Sequence, residues 1–265
     1  MLLNLVERGA GEPVVLIHGA GTSSEIWRLT LPLLAVGRHA VAIDIPGYGA
    51  SPPIGRAFDF GDVADRVVVG LAKAGVEAPY DVVGHSLGGA LATVLAGRHA
   101  ARVRRLVLVA PAGLAAAPPG VARLLRAAAE PFARARRSLA IPLADSPTAR
   151  RIALAGVAHD GARVSAYDAR AVLRSSLGAR RLGPGLAAAA GADLTAELAA
   201  LRIPVGFVWG EHDRVVPASR IAQVRALRPG APVAVVKDGA HAPMLEHPRA
   251  FVDALEEVLA ALQPR

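Results

Sequence analysis

The chain has 265 residues, 53% of them hydrophobic and none of them cysteine, and its formal net charge is +8. This length suits one α/β domain with an insertion, and the lack of cysteine excludes disulfides, thiol catalysis and thiolate metal sites. Arginines spread along the chain carry nearly all of the positive charge, without an aromatic-interleaved basic patch or a zinc-finger signature. We therefore expect no nucleic-acid partner.

The first eight residues lack the basic and long apolar regions of a signal peptide, and they are predicted to form a strand. No apolar stretch is long and uninterrupted enough to span a bilayer, so we expect no membrane partner. A cytoplasmic location is the default expectation for such a cysteine-free chain.

Short apolar runs rich in β-branched residues alternate with helical segments along the chain. They predict buried strands at residues 14–17, 40–43, 81–83, 105–109, 204–209 and 233–236. The segments between them predict helices at residues 25–34, 59–74, 87–99, 218–227 and 249–262. This alternation predicts an α/β fold with a doubly wound, mostly parallel sheet.

The alternation breaks between residues 112 and 193, a segment rich in alanine and arginine and interrupted by prolines. Short amphipathic helices are predicted there at residues 121–129, 148–158 and 166–177. We expect a core of residues 1–111 and 194–265, with residues 112–193 as a helical cap over the C-terminal edge of the sheet. The cap carries a group of arginines expected to form a solvated face: Arg134, Arg136, Arg137, Arg150 and Arg151.

A G-x-S-x-G motif with Ser86 at its centre lies between a predicted strand and the helix that begins at Leu87. The glycines on either side of Ser86 let neighbouring backbone approach closely, and the turn projects the hydroxyl group upward. The helix N-terminus places unpaired N–H groups and the positive end of the helix dipole beneath the serine. The motif therefore predicts that Ser86 is a nucleophile.

A serine nucleophile needs a base, and the base needs a carboxylate that orients it. Asp213 and His241 follow successive predicted strands, so they fall with Ser86 on the C-terminal edge of the sheet, where open α/β folds bind ligands. The loop after the strand at residues 14–17 ends at the same edge. Its Ala20 N–H and the N–H of Leu87 are the natural pair of donors for an oxyanion hole.

Other polar residues near these loops receive structural interpretations. We expect Asp44 to shape a glycine-rich turn, His18 to bond loop backbone, His85 to pack, and Glu246 to tie the His241 loop to the final helix. His212, Asp213 and His241 would resemble a metal site, but a Ser-His-Asp arrangement explains two of the three. No dinucleotide-binding or phosphate-binding glycine pattern is present, so we expect no cofactor and no metal.

Five motifs stand in register: the His18 loop, residues 44–51, the turn at Ser86, residues 210–217 and the His241 loop. On these motifs, over nearly the whole chain outside the cap, the sequence resembles the α/β-hydrolase superfamily. The resemblance implies a triad with Ser86 as nucleophile, His241 as base and Asp213 as its partner. It also implies oxyanion donors at Ala20 and Leu87 and a helical cap that lines the substrate pocket.

The sequence departs from the family pattern at two places. Only 13 residues precede the strand that begins at Val14, so the usual N-terminal hairpin is expected to be shortened. His85 stands where relatives that cleave carbon–carbon bonds in ring-fission products usually carry asparagine. Ser86 also argues against dehalogenases and epoxide hydrolases of this fold, which use an aspartate nucleophile.

These features predict a cofactor-free serine hydrolase that cleaves small to medium apolar carboxylic esters through an acyl-enzyme at Ser86. The expected binding partner is a small-molecule, ester-type substrate. The sequence does not decide whether the protein forms a homodimer. The same triad would also serve carbon–carbon bond hydrolysis, lactone opening or perhydrolysis. A ligand-binding receptor on the same fold is the alternative from another class.

Overall fold

The computed structural model describes residues 3–53, 55, 58–175, 179 and 181–262, with backbone alone at residues 130, 132 and 136. In these residues the strands are β1 (Leu5–Arg8), β2 (Pro13–Ile17), β3 (His39–Ile43), β4 (Tyr80–His85), β5 (Val103–Val109), β6 (Val205–Gly210) and β7 (Val233–Val236). They form one seven-stranded sheet in the order β1-β3-β2-β4-β5-β6-β7. β1 pairs antiparallel with β3, and the remaining pairs are parallel, which confirms the predicted sheet.

Helices cover both faces of this sheet. They are α1 (Leu31–Leu34), α2 (Phe60–Lys73), α3 (Leu87–Arg98), α4 (Pro119–Ala140), α5 (Pro147–Ala153), α6 (Ala166–Ser175), α7 (Leu182–Gly191), α8 (Thr195–Ala200), α9 (Arg220–Leu227), α10 (Pro243–Glu246) and α11 (Pro248–Ala261). Among the described residues, none of these helices combines the length and the apolar character needed to cross a membrane.

The continuous apolar sequence of the strands is explained by burial on both faces of the sheet. In β2, Val15 and Ile17 join a core cluster that includes residues of α2 and α3. Val14 and Leu16 point the opposite way, into a second cluster that includes residues of α1 and α11. Because neither face meets solvent, the strand shows no alternation of apolar and polar residues.

The single helix predicted at residues 25–34 is wrong. A 3-10 turn at Ser24–Trp27 is followed by the separate short helix α1. Pro32 lacks the N–H that a continuous helix would donate to the carbonyl of Arg28. The carbonyl of Trp27 accepts both the N–H and the hydroxyl group of Thr30, each at 3.0 Å. The other predicted core helices agree with α2, α3, α9 and α11 to within two residues at each end.

The insertion between β5 and β6 is helical, but its helices differ from those predicted. α4 has 22 residues and extends well beyond the predicted 121–129, whereas α5 ends before Gly156, whose φ of 83° does not continue a helix. α6 covers Ala166–Ser175, and the last two residues of the predicted helix, 176 and 177, lie outside the described residues. α7 arises from an alanine-rich stretch for which no helix was predicted. The division of the chain into core and cap stays a prediction.

Two of the arginines expected on a solvated face are buried. Arg150 donates hydrogen bonds to the carbonyl groups of Ala144 (2.8 Å), Asp145 (3.0 Å) and Ala162 (3.0 Å), and so ties the loops around α5 together. Arg137 lies against the loop that follows β2, where a Cβ on Gly21 would be 3.3 Å from its Nη2. Arg134 and Arg151 are exposed as expected, and the side chain of residue 136 lies outside the described set.

A buried charge network holds the start of β4. Asp81 is fully buried and accepts hydrogen bonds from Arg104 (2.9 Å) and Arg105 (2.6 Å), with Arg38 at 3.3 Å. Burial by itself raises the pKa of Asp81, but the hydrogen bonds from Arg105 and Arg104 outweigh it and hold the pKa below its usual value. The carboxylate is therefore charged and fully paired in the folded protein.

Replacing Asp81 with asparagine is expected to lower the free energy of unfolding by about 3 kcal/mol, because the arginines lose the charge that compensates them. Urea denaturation measures this loss. Asp65→Asn is the matched control, since Asp65 pairs with Arg98 in an exposed position and its loss should have a much smaller effect. Equal losses in the two variants would contradict the prediction.

Candidate active site

Ser86 occupies the turn between β4 and α3 in a conformation that serine rarely adopts. Its φ is 53°, which costs on the order of 1–3 kcal/mol for a residue with a Cβ. Two backbone hydrogen bonds hold the turn: Ser86 N–H donates to Val109 O (3.0 Å), and Ala112 N–H donates to Ser86 O (3.0 Å). Ser86 is partly exposed although all of β4 is buried. The turn therefore presents this side chain at the sheet edge.

The glycines of the motif are required by close backbone contacts. A Cβ on Gly84 would meet the carbonyl oxygen of Gly88, and a Cβ on Gly88 would meet the carbonyl oxygens of Ile17 and His18. No side chain fits between these backbones. The turn at Ser86 consequently packs directly on the end of β2 and the loop that follows it.

Asp213 and His241 form a buried pair. His241 Nδ1 lies 2.8 Å from Asp213 Oδ2, and the two residues are 7% and 5% exposed. The other carboxylate oxygen, Oδ1, accepts the N–H groups of Val215 (2.8 Å) and Val216 (2.9 Å). Because a carboxylate only accepts, His241 donates its Nδ1–H to Asp213, which leaves Nε2 as a proton acceptor.

His85 connects the Ser86 turn with the His241 loop, a contact that sequence reasoning missed. Its Nε2 lies 2.8 Å from the carbonyl oxygen of His241, and the two rings are 4.7 Å apart between centroids. A carbonyl accepts, so Nε2 carries the hydrogen. Burial lowers the pKa of His85 well below its usual value, with His241 adding to the effect. The neutral ring therefore positions the backbone of His241, and only its place next to Ser86 hinted at this role.

The loop after β2 lies against the Ser86 turn. Ile17 and Gly84 are paired in the sheet, and Ala20 and Leu87 each follow their paired residue by three positions. A Cβ on Gly19 would lie 3.1 Å from Cβ of Ser86. The structure therefore brings the two predicted oxyanion donors to the same strand ends as Ser86.

His18 holds this loop in shape, as predicted. Ile45 N–H donates to its Nε2 (3.0 Å), so its Nδ1–H donates to the carbonyl of Gly19 (2.7 Å). Thr22 also donates to the Gly19 carbonyl, at 3.1 Å. Burial lowers the pKa of His18 to about 4, against opposing contributions from the Gly19 hydrogen bond and from Asp44.

The neutral state of His18 predicts a loss of stability in acid. In the unfolded chain the imidazole takes up its proton near pH 6.5, whereas in the folded protein it does so only at about pH 4. The unfolded state binds more protons between these values. The free energy of unfolding should therefore fall as the pH drops from 6.5 to 4, by up to about 3 kcal/mol for this group.

Urea denaturation across this pH range, compared with the variant His18→Asn, measures the contribution of His18. The variant should show a flatter dependence on pH, with the remaining slope supplied in part by His85, whose pKa shifts in the same direction. His39→Asn, which changes a partly exposed histidine beside Glu7, should keep the wild-type slope. An unchanged slope in His18→Asn would contradict the prediction.

Asp44 and Glu246 have the structural roles predicted for them. Asp44 accepts three hydrogen bonds of 2.7–2.8 Å, from Asn4, Ser24 and Ala50. Glu246 accepts the N–H of Ala240 (2.8 Å) next to His241, and its other oxygen accepts the N–H groups of His159 and Asp160. Glu246, the last residue of α10 just before α11, therefore ties the His241 loop to the helical insertion as well as to these helices.

The ligand set His212, Asp213 and His241 does not form around a common centre. Both carboxylate oxygens of Asp213 are taken by His241 and by backbone N–H groups. His212 instead lies near Glu211 and Asp238, with one ligand atom of each within 4.8 Å of the others, at a solvent-accessible surface. This geometry favours the pairing of Asp213 with His241 alone.

Two apolar cavities adjoin the loops described above. One, of about 390 Å³, is lined by Ser86, by residues after β5 and by residues that follow Asp213. The other, of about 330 Å³, is lined by Ala20 and by residues of α4, α5, α6 and α7. Leu125 of α4 and Leu186 of α7 line both. The helical insertion thus contributes walls to both cavities.

Several known proteins resemble this chain in sequence. The sequence profile of the alpha/beta hydrolase fold matches residues 12–248. A pimeloyl-[acyl-carrier protein] methyl ester esterase of Neisseria meningitidis serogroup B is 32% identical over 254 residues, covering 91% of this chain and 90% of the relative. A 2-hydroxymuconate semialdehyde hydrolase of Pseudomonas sp. is 43% identical over 114 residues, covering 42% of this chain and 40% of the relative.

Two solved structures share the architecture. An esterase from Thermogutta terrifontis has a TM-score of 0.76 at 21% identity, and the alignment covers 98% of this chain and 94% of the esterase chain. A meta-cleavage product hydrolase from Pseudomonas fluorescens has a TM-score of 0.72 at 24% identity, and the alignment covers 97% of this chain and 94% of the hydrolase chain. At these identities the likeness is one of fold.

Proposed function

The chain belongs to the α/β-hydrolase family and is a hydrolase, and from this premise we propose that it cleaves carboxylic esters. In this proposal Ser86 is the nucleophile, His241 is the base and Asp213 is the residue that orients the base. The observation that carries the proposal is the 2.8 Å contact between His241 and Asp213, which leaves Nε2 of His241 ready to accept a proton. His85 joins this pair to the turn that presents Ser86.

The reaction proceeds in two halves. Ser86 Oγ attacks the ester carbonyl carbon and gives its proton to His241 Nε2, while Asp213 stabilises the resulting imidazolium. The N–H groups of Ala20 and Leu87 bind the oxyanion. Collapse of the intermediate breaks the bond to the alcohol, which takes the proton from His241. Water, deprotonated by His241, then attacks the acyl-enzyme. The bond to Ser86 Oγ breaks, His241 returns the proton to this oxygen, and the acid is released.

The cavities favour a substrate with apolar parts on both sides of the ester carbonyl. Their walls are mostly alanine, leucine and valine, and each is large enough for a short chain but not for a bulky polymer. The relative from Neisseria meningitidis is named for a methyl ester of a carrier-bound acyl group. We assign to this chain, more broadly, small to medium acyl esters, with residues 112–193 acting as the cap that selects them.

A second candidate is hydrolysis of a carbon–carbon bond in a ring-fission product. It is favoured by the 43% identity of a 114-residue segment with the 2-hydroxymuconate semialdehyde hydrolase. Against it stands His85, which occupies the position where such relatives usually have asparagine and which here donates to the His241 carbonyl.

Turnover of two substrate series separates the candidates. We expect p-nitrophenyl esters of graded acyl length to be hydrolysed, and a ring-fission dienoate to be left intact. Cleavage of the dienoate at a higher kcat/KM than every ester would overturn the ester assignment. Binding of both classes without turnover of either would instead favour the receptor alternative.

A further inference from the structure

A buried arginine lies in the wall of the second cavity. Arg137 of α4 is 6% exposed. Among the described residues that line this cavity, Arg137 and Thr22 are the two with polar side chains. Arg137 also has an interaction within the protein. Its guanidinium is the one charged group among the described residues that line this otherwise apolar cavity.

The guanidinium group lies close to the predicted oxyanion loop. Gly21, which follows Ala20, has a φ of 74°, and a Cβ placed on it would lie 3.3 Å from Nη2 of Arg137. Standard bond lengths then limit the distance from this nitrogen to the Ala20 N–H to about 10 Å. A substrate whose carbonyl oxygen is bound by Ala20 therefore has its acyl chain within reach of Arg137.

The two cavities share part of their lining. Leu125 and Leu186 line both this cavity and the one that contains Ser86. Apart from Thr22 and Arg137, the described residues that line the second cavity are apolar or glycine, among them Ala129 and Leu182. An acyl chain can thus bury methylene groups along its length and present its far end to the guanidinium.

We propose that Arg137 binds a carboxylate at the far end of the acyl chain, so that the preferred substrates are monoesters of dicarboxylic acids. This inference rests on the proposed ester hydrolysis. The guanidinium carries five donors in a planar fork that matches a carboxylate, so contacts within the protein that fix its orientation are compatible with binding a ligand. Hydrogen bonds between two charged groups are the strong ones, above all where water is excluded.

The test compares monomethyl esters of dicarboxylic acids with methyl esters of monocarboxylic acids of equal chain length. At the best length, wild type should favour the ω-carboxylate ester by about 10- to 100-fold in kcat/KM. Arg137→Gln should remove this preference, and Arg137→Lys, which keeps the charge without the fork, should retain part of it. Arg134→Gln, an exposed arginine one turn earlier on α4, should leave the preference at its wild-type value.

The outcomes separate the inference from the function on which it rests. If wild type hydrolyses neither ester series, the proposed ester hydrolysis fails. If it hydrolyses both without preference, or if Arg137→Gln keeps the preference, the role of Arg137 is overturned. If Arg137→Gln fails to fold, inhibition of the wild-type enzyme decides. A dicarboxylate should then inhibit with an inhibition constant at least about 10-fold lower than that of the monocarboxylate of equal length. Equal inhibition constants would overturn the inference.

Discussion

Replacing Ser86 with alanine is expected to lower kcat for ester hydrolysis by about 10⁴- to 10⁶-fold, because the residual activity then comes from binding and the oxyanion donors alone. The substitution keeps the Cβ and removes only the hydroxyl group, so the backbone hydrogen bonds to Val109 and Ala112 persist. The melting temperature should therefore stay close to that of wild type. Steady-state kinetics and thermal melting of the same preparation measure both quantities.

A covalent probe provides an independent test of the same residue. An organophosphonate ester should add one adduct to wild type, located by peptide mass mapping at Ser86, and none to Ser86→Ala. Ser175→Ala is the matched control, because the Ser175 hydroxyl donates to the carbonyl of Val172 within α6. Labelling at another residue, or turnover by Ser86→Ala within tenfold of wild type, would contradict the assignment.

The parts of the site that the sequence predicted are those governed by chain order along the sheet. Ser86, Asp213 and His241 each follow a strand, and parallel strands bring their C-terminal ends to one edge. Once the strands are assigned, the meeting of these loops follows from topology. The pairing of His241 with Asp213 needed only that the two loops be adjacent, as β6 and β7 are.

The parts that the sequence did not predict depend on contacts between distant segments. α7 is alanine-rich and has no amphipathic stripe, yet Gly183 packs so closely on α4 that a Cβ there would meet the carbonyl oxygen of Arg126. Arginine on an amphipathic helix is usually solvated, whereas Arg137 of α4 is buried with its guanidinium against the loop that follows β2. His85 likewise acquires its function from a carbonyl 156 residues further along the chain.

Replacing Asp213 with asparagine is expected to lower kcat by about 10⁴-fold while the protein remains folded, because the wrong tautomer of His241 is then favoured. The local hydrogen bonds determine how the amide must orient. The N–H groups of Val215 and Val216 both donate to Oδ1, so the carbonyl oxygen of the asparagine has to take that place. Its NH₂ group then faces Nδ1 of His241 and donates to it.

A histidine that accepts at Nδ1 carries its hydrogen on Nε2, where it cannot take the proton of Ser86. The loss should therefore fall on kcat, with KM changed much less, and ¹⁵N NMR of the imidazole should show the exchanged tautomer. Asp238→Asn is the matched control, since Asp238 is an exposed residue of the same loop region with a φ of 56° that asparagine tolerates. If Asp213→Asn kept kcat within tenfold of this control while His241 retained its hydrogen on Nδ1, Asp213 would not be the residue that orients the base.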